Sequence, residues 1–357
     1  MSDKQRRKRW KIALTLVTLA ALAGTAYAVR GQIAETIQNF GKVNTWALLL
    51  VVPLEAFNYY GQAKLYQGLF AILGDRFRTK SLYRLALELN LVNNIFPSGG
   101  VSGFSYLSYR MREEKVSTAK ATLVQMMKFI MVFVSFQILL FIGLIMLAIG
   151  DKANSLILLV AGSLSTLLFV GTVGIAFVIG SKSRINSFFT LVTRLLNRII
   201  YVFRRNHPET INITKARETF TELHENYMHI RRNLGALKKP LMFSLLANVT
   251  EIAAIYVVYI AFGHLVNPGA VVLAYAIANF AGLVSVLPGG IGIYEALMTG
   301  VMTAGGVPIS VSLPVTVMFR IVSMAVQLPV GYYFYQKALH AEPKLEDVVE
   351  AIKHEDS

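Results

Sequence analysis

No cysteine occurs in the 357 residues. Disulfides, thiolate metal centres and a cysteine nucleophile are therefore excluded. Charge is scarce as well. Asp, Glu, Lys and Arg make up 15% of the chain, whereas a soluble globular protein carries about 25%. A set of water-soluble domains is excluded on that ground, and 55% hydrophobic content with a mean hydropathy of +0.53 points to lipid as part of the solvent. The six histidines (His207, His224, His229, His264, His340 and His354) never pair at helical spacing inside an apolar segment. No metal site and no cofactor is expected. A Gly-x-x-x-x-Gly-Lys-Ser/Thr loop is missing too, so any transport is downhill, ion-coupled or driven by a partner.

What is plentiful is positive charge: 35 Lys and Arg against 20 Asp and Glu, a formal +15. In a membrane protein this excess reports topology before it reports nucleic acid, and no nucleic-acid partner is expected. Runs of about 20 apolar residues mark spanning helices. They lie at Ile12–Val29, Trp46–Leu73, Ala119–Ile149, Ser155–Ile179, Leu241–Phe262 and Ile309–Gln336. Two other apolar stretches, Leu82–Phe96 and Ala270–Leu287, run into Pro-Gly-rich breaks at Pro97-Ser98-Gly99-Gly100 and Pro288-Gly289-Gly290. Each reads as a re-entrant helical hairpin, spanning 82–108 and 270–304. With both termini inside, this arrangement puts twenty-nine basic residues in the cytoplasm and only Arg30, Lys42 and Lys152 outside. Full crossing at 82–96 would move Arg110, Arg112, Lys115 and Lys120 outside, against the positive-inside bias. A multi-pass protein of the plasma membrane is expected. The first span has the basic flank and Ala26-Tyr27-Ala28 of a signal peptide, and reads as an uncleaved anchor.

The breaks belong to an internal repeat. Val116 follows Pro97 by nineteen positions, and Val307 follows Pro288 by nineteen. Lys128 and Arg320 lie 31 and 32 positions beyond those prolines, each deep in an apolar span. Upstream, each unit has a span with one carboxylate followed by tyrosine: Glu55 before Tyr59-Tyr60, and Glu251 before Tyr256. The expected fold is thus an all-α polytopic domain over 1–357, with about six spans and two re-entrant hairpins as an inverted repeat. Its parts are the first span (12–29), repeat 1 (46–149), a linking span (155–179), a cytoplasmic amphipathic hairpin (182–239), repeat 2 (241–338) and a cytoplasmic tail (339–357).

Asn94-Ile95-Phe96-Pro97-Ser98-Gly99-Gly100 and Leu287-Pro288-Gly289-Gly290-Ile291-Gly292-Ile293-Tyr294-Glu295 resemble the paired signatures of the lysylphosphatidylglycerol synthase transmembrane-region family, also described as flippase-like. Gly305-Gly306-Val307 and Arg320 match its second half. The resemblance covers roughly Ala47 to Ala338. It departs at Lys128, where arginine is expected. Bifunctional members add a soluble aminoacyl-transferase domain that is not expected here, so the resemblance implies lipid handling rather than lipid aminoacylation.

Ionisable residues inside membrane spans tend to mark function. Lys128 and Arg320 are candidates to neutralise a lipid phosphate, or to pair with Glu55, Glu88, Glu251 or Glu295. Lys64 reads as snorkelling to the interface. The Pro97, Gly99, Gly100 and Pro288, Gly289, Gly290 turns can expose consecutive N–H groups to an anion, and the second also starts a helix whose N-terminus favours negative charge. A plain hairpin turn explains the same residues. Glu295 falls in that helix's first turn, where capping or an ion pair with Arg320 is expected ahead of contact with a headgroup amine; Glu55 and Glu251 are supporting carboxylates. Between residues 184 and 205, apolar positions recur at helical spacing with Arg194, Arg198, Arg204 and Arg205 elsewhere, and Ile213, Phe220, Leu223, Tyr227, Ile230 and Leu234 continue the pattern. That region is expected to lie on the anionic cytoplasmic leaflet. The leading reading is a transporter moving an anionic phospholipid or polyprenyl phosphate between leaflets. The others are a non-catalytic membrane partner of a separate synthase or transferase, and an intramembrane headgroup enzyme.

Overall fold

The structure is a computed structural model, and it describes residues 43–95, 101–150, 155–187, 213–284 and 290–340, with isolated positions at 24, 27, 30, 31, 41, 190 and 191. Secondary structure among these residues is helical throughout. A short helix α1 (Thr45–Leu49) leads into α2 (Val51–Ile72), followed by α3 (Thr79–Ile95), α4 (Val101–Glu113), α5 (Thr118–Ile149) and α6 (Ser155–Ile179). After α7 (Ile213–Arg232) and a 3-10 turn come α8 (Lys238–Ala261), α9 (Pro268–Val284), α10 (Ile293–Ala304) and α11 (Ile309–His340).

Among the described residues, four segments are long and apolar enough to cross a membrane: Thr118–Ile149, Ser155–Ile179, Leu234–Ala261 and Ile309–His340. They match four of the six expected spans. A fifth, Ile12–Val29, lies almost wholly outside the described residues. The sixth, Trp46–Leu73, forms α1 and α2 but falls short of the same apolarity. Glu55, Asn58 and Tyr59 explain the shortfall: they point into the protein, at 1%, 4% and 3% exposure. The lipid-like face is elsewhere. On α6, Leu158, Leu159, Phe169, Val170 and Phe177 are exposed, and on α5 so are Phe141, Ile145 and Ile149. Rows of exposed leucine and phenylalanine are stable against hydrocarbon and unfavourable in water.

Packing follows one pattern over the stretches α2 to α5 and α8 to α11. α2 packs most extensively on α8, α3 on α11 and α2, and α9 on α10 and α5; α4 packs on α3 and α5, α10 on α11, α8 on α5 and α9, and α11 on α2. Exchanging α2 to α5 for α8 to α11 carries each of these neighbours into another of the set. Glycines allow three of the approaches. A Cβ on Gly61 would meet Phe243 O at 2.9 Å, one on Gly331 would meet Leu87 O at 2.8 Å, and one on Gly143 would meet Val272 Cγ1 at 3.0 Å. Small residues at such crossings let helix backbones come together where lipid supplies no hydrophobic driving force.

Helices α3 and α4 run antiparallel: Ser102 Oγ donates to Asn93 Oδ1 at 3.4 Å near the break, and Arg110 reaches Glu88 further down. Helices α9 and α10 also fold back, since a Cβ on Gly305 near the end of α10 would sit 2.9 Å from Ala270 at the start of α9. The α7 helix differs from expectation. Leu223 and Ile230 are each 1% exposed and join a core with Val116, Ala119 and Ile179, while Ser117 Oγ bonds Glu222 and His224 Nδ1 lies 2.8 Å from Ile179 O. At Leu223 and Ile230 its apolar face is covered by protein, because a stripe that fits a leaflet fits the foot of α5 equally well, whereas Leu234 at the end of the stripe is exposed. Arg194, Arg198, Arg204 and Arg205 lie outside the described residues.

Candidate functional site

Gly292 ends the turn before α10 with φ +85°, and Gly290 has φ +66°. Both are backbone conformations that glycine adopts without a Cβ penalty, as expected of a Pro-Gly-Gly break. Pro97, Gly99, Gly100, Pro288 and Gly289 lie outside the described residues. At the start of α10 the Gly292 N–H donates to Glu295 Oε2 at 2.7 Å. The other oxygen of Glu295 accepts from Arg320 Nη1 at 2.9 Å. Glu295 therefore caps the helix and pairs with the cation, the two roles expected first from the sequence. Arg320 is 8% exposed and its guanidinium lies 4.9 Å from the Tyr294 ring centroid. The pair joins α10 to α11 beside the glycine turn. A helix N-terminus, a guanidinium and an aromatic face thus converge on a carboxylate, the geometry that also receives a phosphate.

Lys128 stands apart from the carboxylates. Among the described residues no Asp or Glu pairs with it; its Nζ lies 5.0 Å from the Tyr66 ring centroid, and the Tyr66 hydroxyl donates to Gln125 at 2.8 Å. The expected pairing with Glu55, Glu88, Glu251 or Glu295 thus holds for Arg320 and not for Lys128. Glu88 finds a different cation. It is 2% exposed and its Oε2 accepts from Arg110 Nε and from the Tyr106 hydroxyl, each at 2.9 Å. Sequence reading assigned Arg110 to the cytoplasmic loops, and only the antiparallel return of α4 brings it onto Glu88. Lys64 donates to Gln67 at 2.9 Å and lies 5.7 Å from the Tyr60 ring.

Glu55 and Glu251 meet at the α2–α8 interface, where they interact electrostatically. Glu55 Oε2 accepts from Gln327 Nε2 at 2.7 Å, and Gln327 Oε1 accepts from Asn90 at 2.9 Å. Glu251 Oε2 accepts from Asn58 Nδ2 at 2.7 Å, and Asn58 also donates to Ala247 O at 2.8 Å. In the second unit, Tyr275 donates to Asn248 Oδ1 at 3.2 Å and Asn248 donates to Ser135 at 2.9 Å. Asn58, Asn90, Asn248 and Gln327 were missed by sequence reasoning. Their one available signal was the presence of amides in apolar helices, where an unbonded amide costs several kcal/mol, of order ~2–7. No group of three or more metal-ligating side chains occurs among the described residues.

Residues 10–331 match the family described as the lysylphosphatidylglycerol synthase TM region. Two proteins of Methanothermobacter thermautotrophicus, each described as a UPF0104 membrane protein, are similar in part. One is 28% identical over 143 residues, 37% of this chain and 43% of that protein. The other is 26% identical over 121 residues, 34% of this chain and 35% of that protein. The matches thus span less than half the length of either relative. A further UPF0104 membrane protein, of Methanocaldococcus jannaschii, is 23% identical over 325 residues, 90% of this chain and 92% of its own length.

Proposed function

This chain belongs to the lysylphosphatidylglycerol synthase transmembrane-region family of membrane proteins, and we propose that it is a transporter moving an anionic phospholipid or a lipid-linked phosphate between leaflets. The observation that carries the reading is the buried Arg320 held by a carboxylate that already serves a second donor. An incoming phosphate replaces Glu295 on the guanidinium, and Glu295 stays on the Gly292 N–H. Exchange of one anion for another keeps the charge on Arg320 compensated throughout, which a solitary buried arginine lacks. Lys128, over the Tyr66 ring and free of a carboxylate among the described residues, offers a second stop for the headgroup.

Alternating access through two inverted units supplies the movement. That arrangement has six spans and two re-entrant hairpins, in the plasma membrane with both termini cytoplasmic. The unchanged set of helix neighbours on exchange of the units supports it. So does length: α3 and α9 have 17 residues each, about 25 Å of helix, against a hydrocarbon core of about 30 Å. Basic residues gathered at the expected inner ends support the orientation.

The test uses purified protein in phosphatidylglycerol vesicles containing fluorescent phosphatidylglycerol, with a membrane-impermeant quencher added outside. Wild type should render inner-leaflet label quenchable, and Arg320→Gln should leave it protected while the protein still elutes as a folded species. Protection of the inner leaflet in wild type, for phosphatidylglycerol and for a polyprenyl phosphate alike, would sink the transport reading and leave a membrane partner for a separate synthase.

A further inference from the structure

The most heavily buried carboxylate of the α2–α8 interface has an oxygen with no partner in direct hydrogen-bond geometry. Glu55 is 1% exposed; Oε2 is bonded by Gln327, but Oε1 is buried without a partner. Beside it lies Ser323 on α11, 6% exposed, close enough to interact with Glu55 yet with its Oγ also lacking a partner in direct hydrogen-bond geometry. Glu251 approaches from α8 beside Glu55, and as a residue it is partly exposed.

The neighbours decide what such a site holds. Tyr59 lies one turn along α2 from Glu55 and, like Tyr275 on α9 and Tyr294 on α10, interacts electrostatically with both carboxylates, while Tyr83 on α3 does so with Glu55. Arg320 on α11 is engaged by Glu295. Among the described residues neither Glu55 nor Glu251 has an ion-pair partner. A metal cation would need a shell of oxygens, but the amides present their N–H groups instead: Asn58 Nδ2 to Glu251 and Gln327 Nε2 to Glu55. Their own oxygens are taken by Gln62 and Asn90. Donors pointing at the carboxylates favour a proton over sodium.

We propose that Glu55, Glu251 and Ser323 form a proton-binding site where α2, α8 and α11 meet, and that protons passing through it drive lipid movement, a coupling that rests on the transport reading above. A proton arriving at Glu251 passes to Glu55 Oε1. One O–H bond forms there as another breaks on Glu251, and the new O–H donates to Ser323 Oγ. Gln327 then faces a neutral acid instead of an anion, which weakens the tie between α2 and α11, the helix carrying Arg320. Release of the proton on the other side restores that tie.

The experiment imposes a pH gradient on phosphatidylglycerol vesicles that contain the protein and fluorescent phosphatidylglycerol, and reads the leaflet distribution of the label at steady state. With one proton per lipid, one pH unit shifts the distribution by up to about tenfold. Wild type should show that asymmetry and lose it on adding a protonophore; Glu55→Gln and Glu251→Gln should show none. A symmetric distribution in wild type, with label still crossing, overturns the coupling and spares the transport reading. If no label crosses, transport fails, and infrared difference spectroscopy of the purified protein decides the site alone. A buried carboxylic C=O band that titrates in wild type and disappears in Glu55→Gln sustains it. Absence of that band in wild type overturns it. Ser323→Ala removes a single hydroxyl beside Glu55 and guards against misfolding of the glutamate variants; it should shift the titration of the band, and an unchanged titration removes Ser323 from the site.

Discussion

Arg320 carries a charge that cannot be shed by deprotonation, and at 8% exposure it is not shared with water. Its planar fork holds Glu295 through Nη1 and offers a phosphate that replaces Glu295 the same delocalised, multi-donor charge, with the Tyr294 ring beside it. An ammonium presents a single point. Arg320→Lys should therefore slow lipid movement by about tenfold or more, the loss of one good charged hydrogen bond, while Lys128→Arg, over an aromatic face that suits either cation, should retain it; both are read in the quenching assay. Glu295→Gln separates binding from stability. The amide oxygen can still accept from the Gly292 N–H, but the negative charge beside Arg320 is gone, a loss of about 3–5 kcal/mol for a broken buried pair. Thermal unfolding in neutral detergent should fall accordingly, and added phosphatidylglycerol should raise the variant's Tm more than it raises that of wild type. Equal recovery with a zwitterionic lipid would count against a phosphate at Arg320.

Helix crossings in this protein rest on missing side chains. A Cβ on Gly269 collides with the Gly143 carbonyl, and one on Gly331 comes to 2.8 Å from the Leu87 carbonyl. Backbone gives way less readily than side chain, so Gly269→Ala and Gly331→Ala should each lower stability by about 1–3 kcal/mol. Gly162→Ala meets nothing within 4 Å and should be neutral or stabilising by up to about 1 kcal/mol from helix propensity. Thermal melts of the three variants in one detergent check the order. The same interfaces mark how far the helices were legible in the sequence. Apolar runs gave α5, α6, α8 and α11 nearly to their ends, and Pro-Gly breaks separated α3 from α4 and α9 from α10. Glu295 was legible because a helix start declares its first turn. Glu88 with Arg110, and Glu55 with Gln327, were not. Those partners are brought together by chain reversal or from 272 residues away, and no periodicity encodes them. The α7 stripe was legible as a stripe but not as a packed one, since apolar spacing is the same against lipid and against the Val116–Ala119 foot of α5.

At the scale of the molecule, contacts sort the helix ends into two sets. Lys120 Nζ meets Asp75 at 3.1 Å and Leu73 O at 3.3 Å, which places the end of α2 with the start of α5. Asn44 N donates to Ala261 O at 2.9 Å, and Asn267 Nδ2 donates to Met146 O at 3.3 Å, which gathers the start of α1 with the end of α8, and the start of α9 with the end of α5. Helices α3 and α4 begin and finish with the first set, and α9 and α10 with the second. If the first set is cytoplasmic, as its basic residues argue, then the hairpins enter from opposite faces and the two units are inverted. The chain has no cysteine, so single cysteines at exposed positions read this without background. Lys80→Cys and Glu114→Cys should resist an impermeant maleimide in intact cells and react after permeabilisation, while Thr45→Cys and His264→Cys should react from outside. The informative comparison is Lys80 with Glu114, which flank the first hairpin. Labelling of both from the same side requires α3 and α4 together to return to that side. Labelling of position 114 from outside with 80 still protected would make that segment a full crossing, reverse every later helix, and place the arginines of α4 against the positive-inside bias.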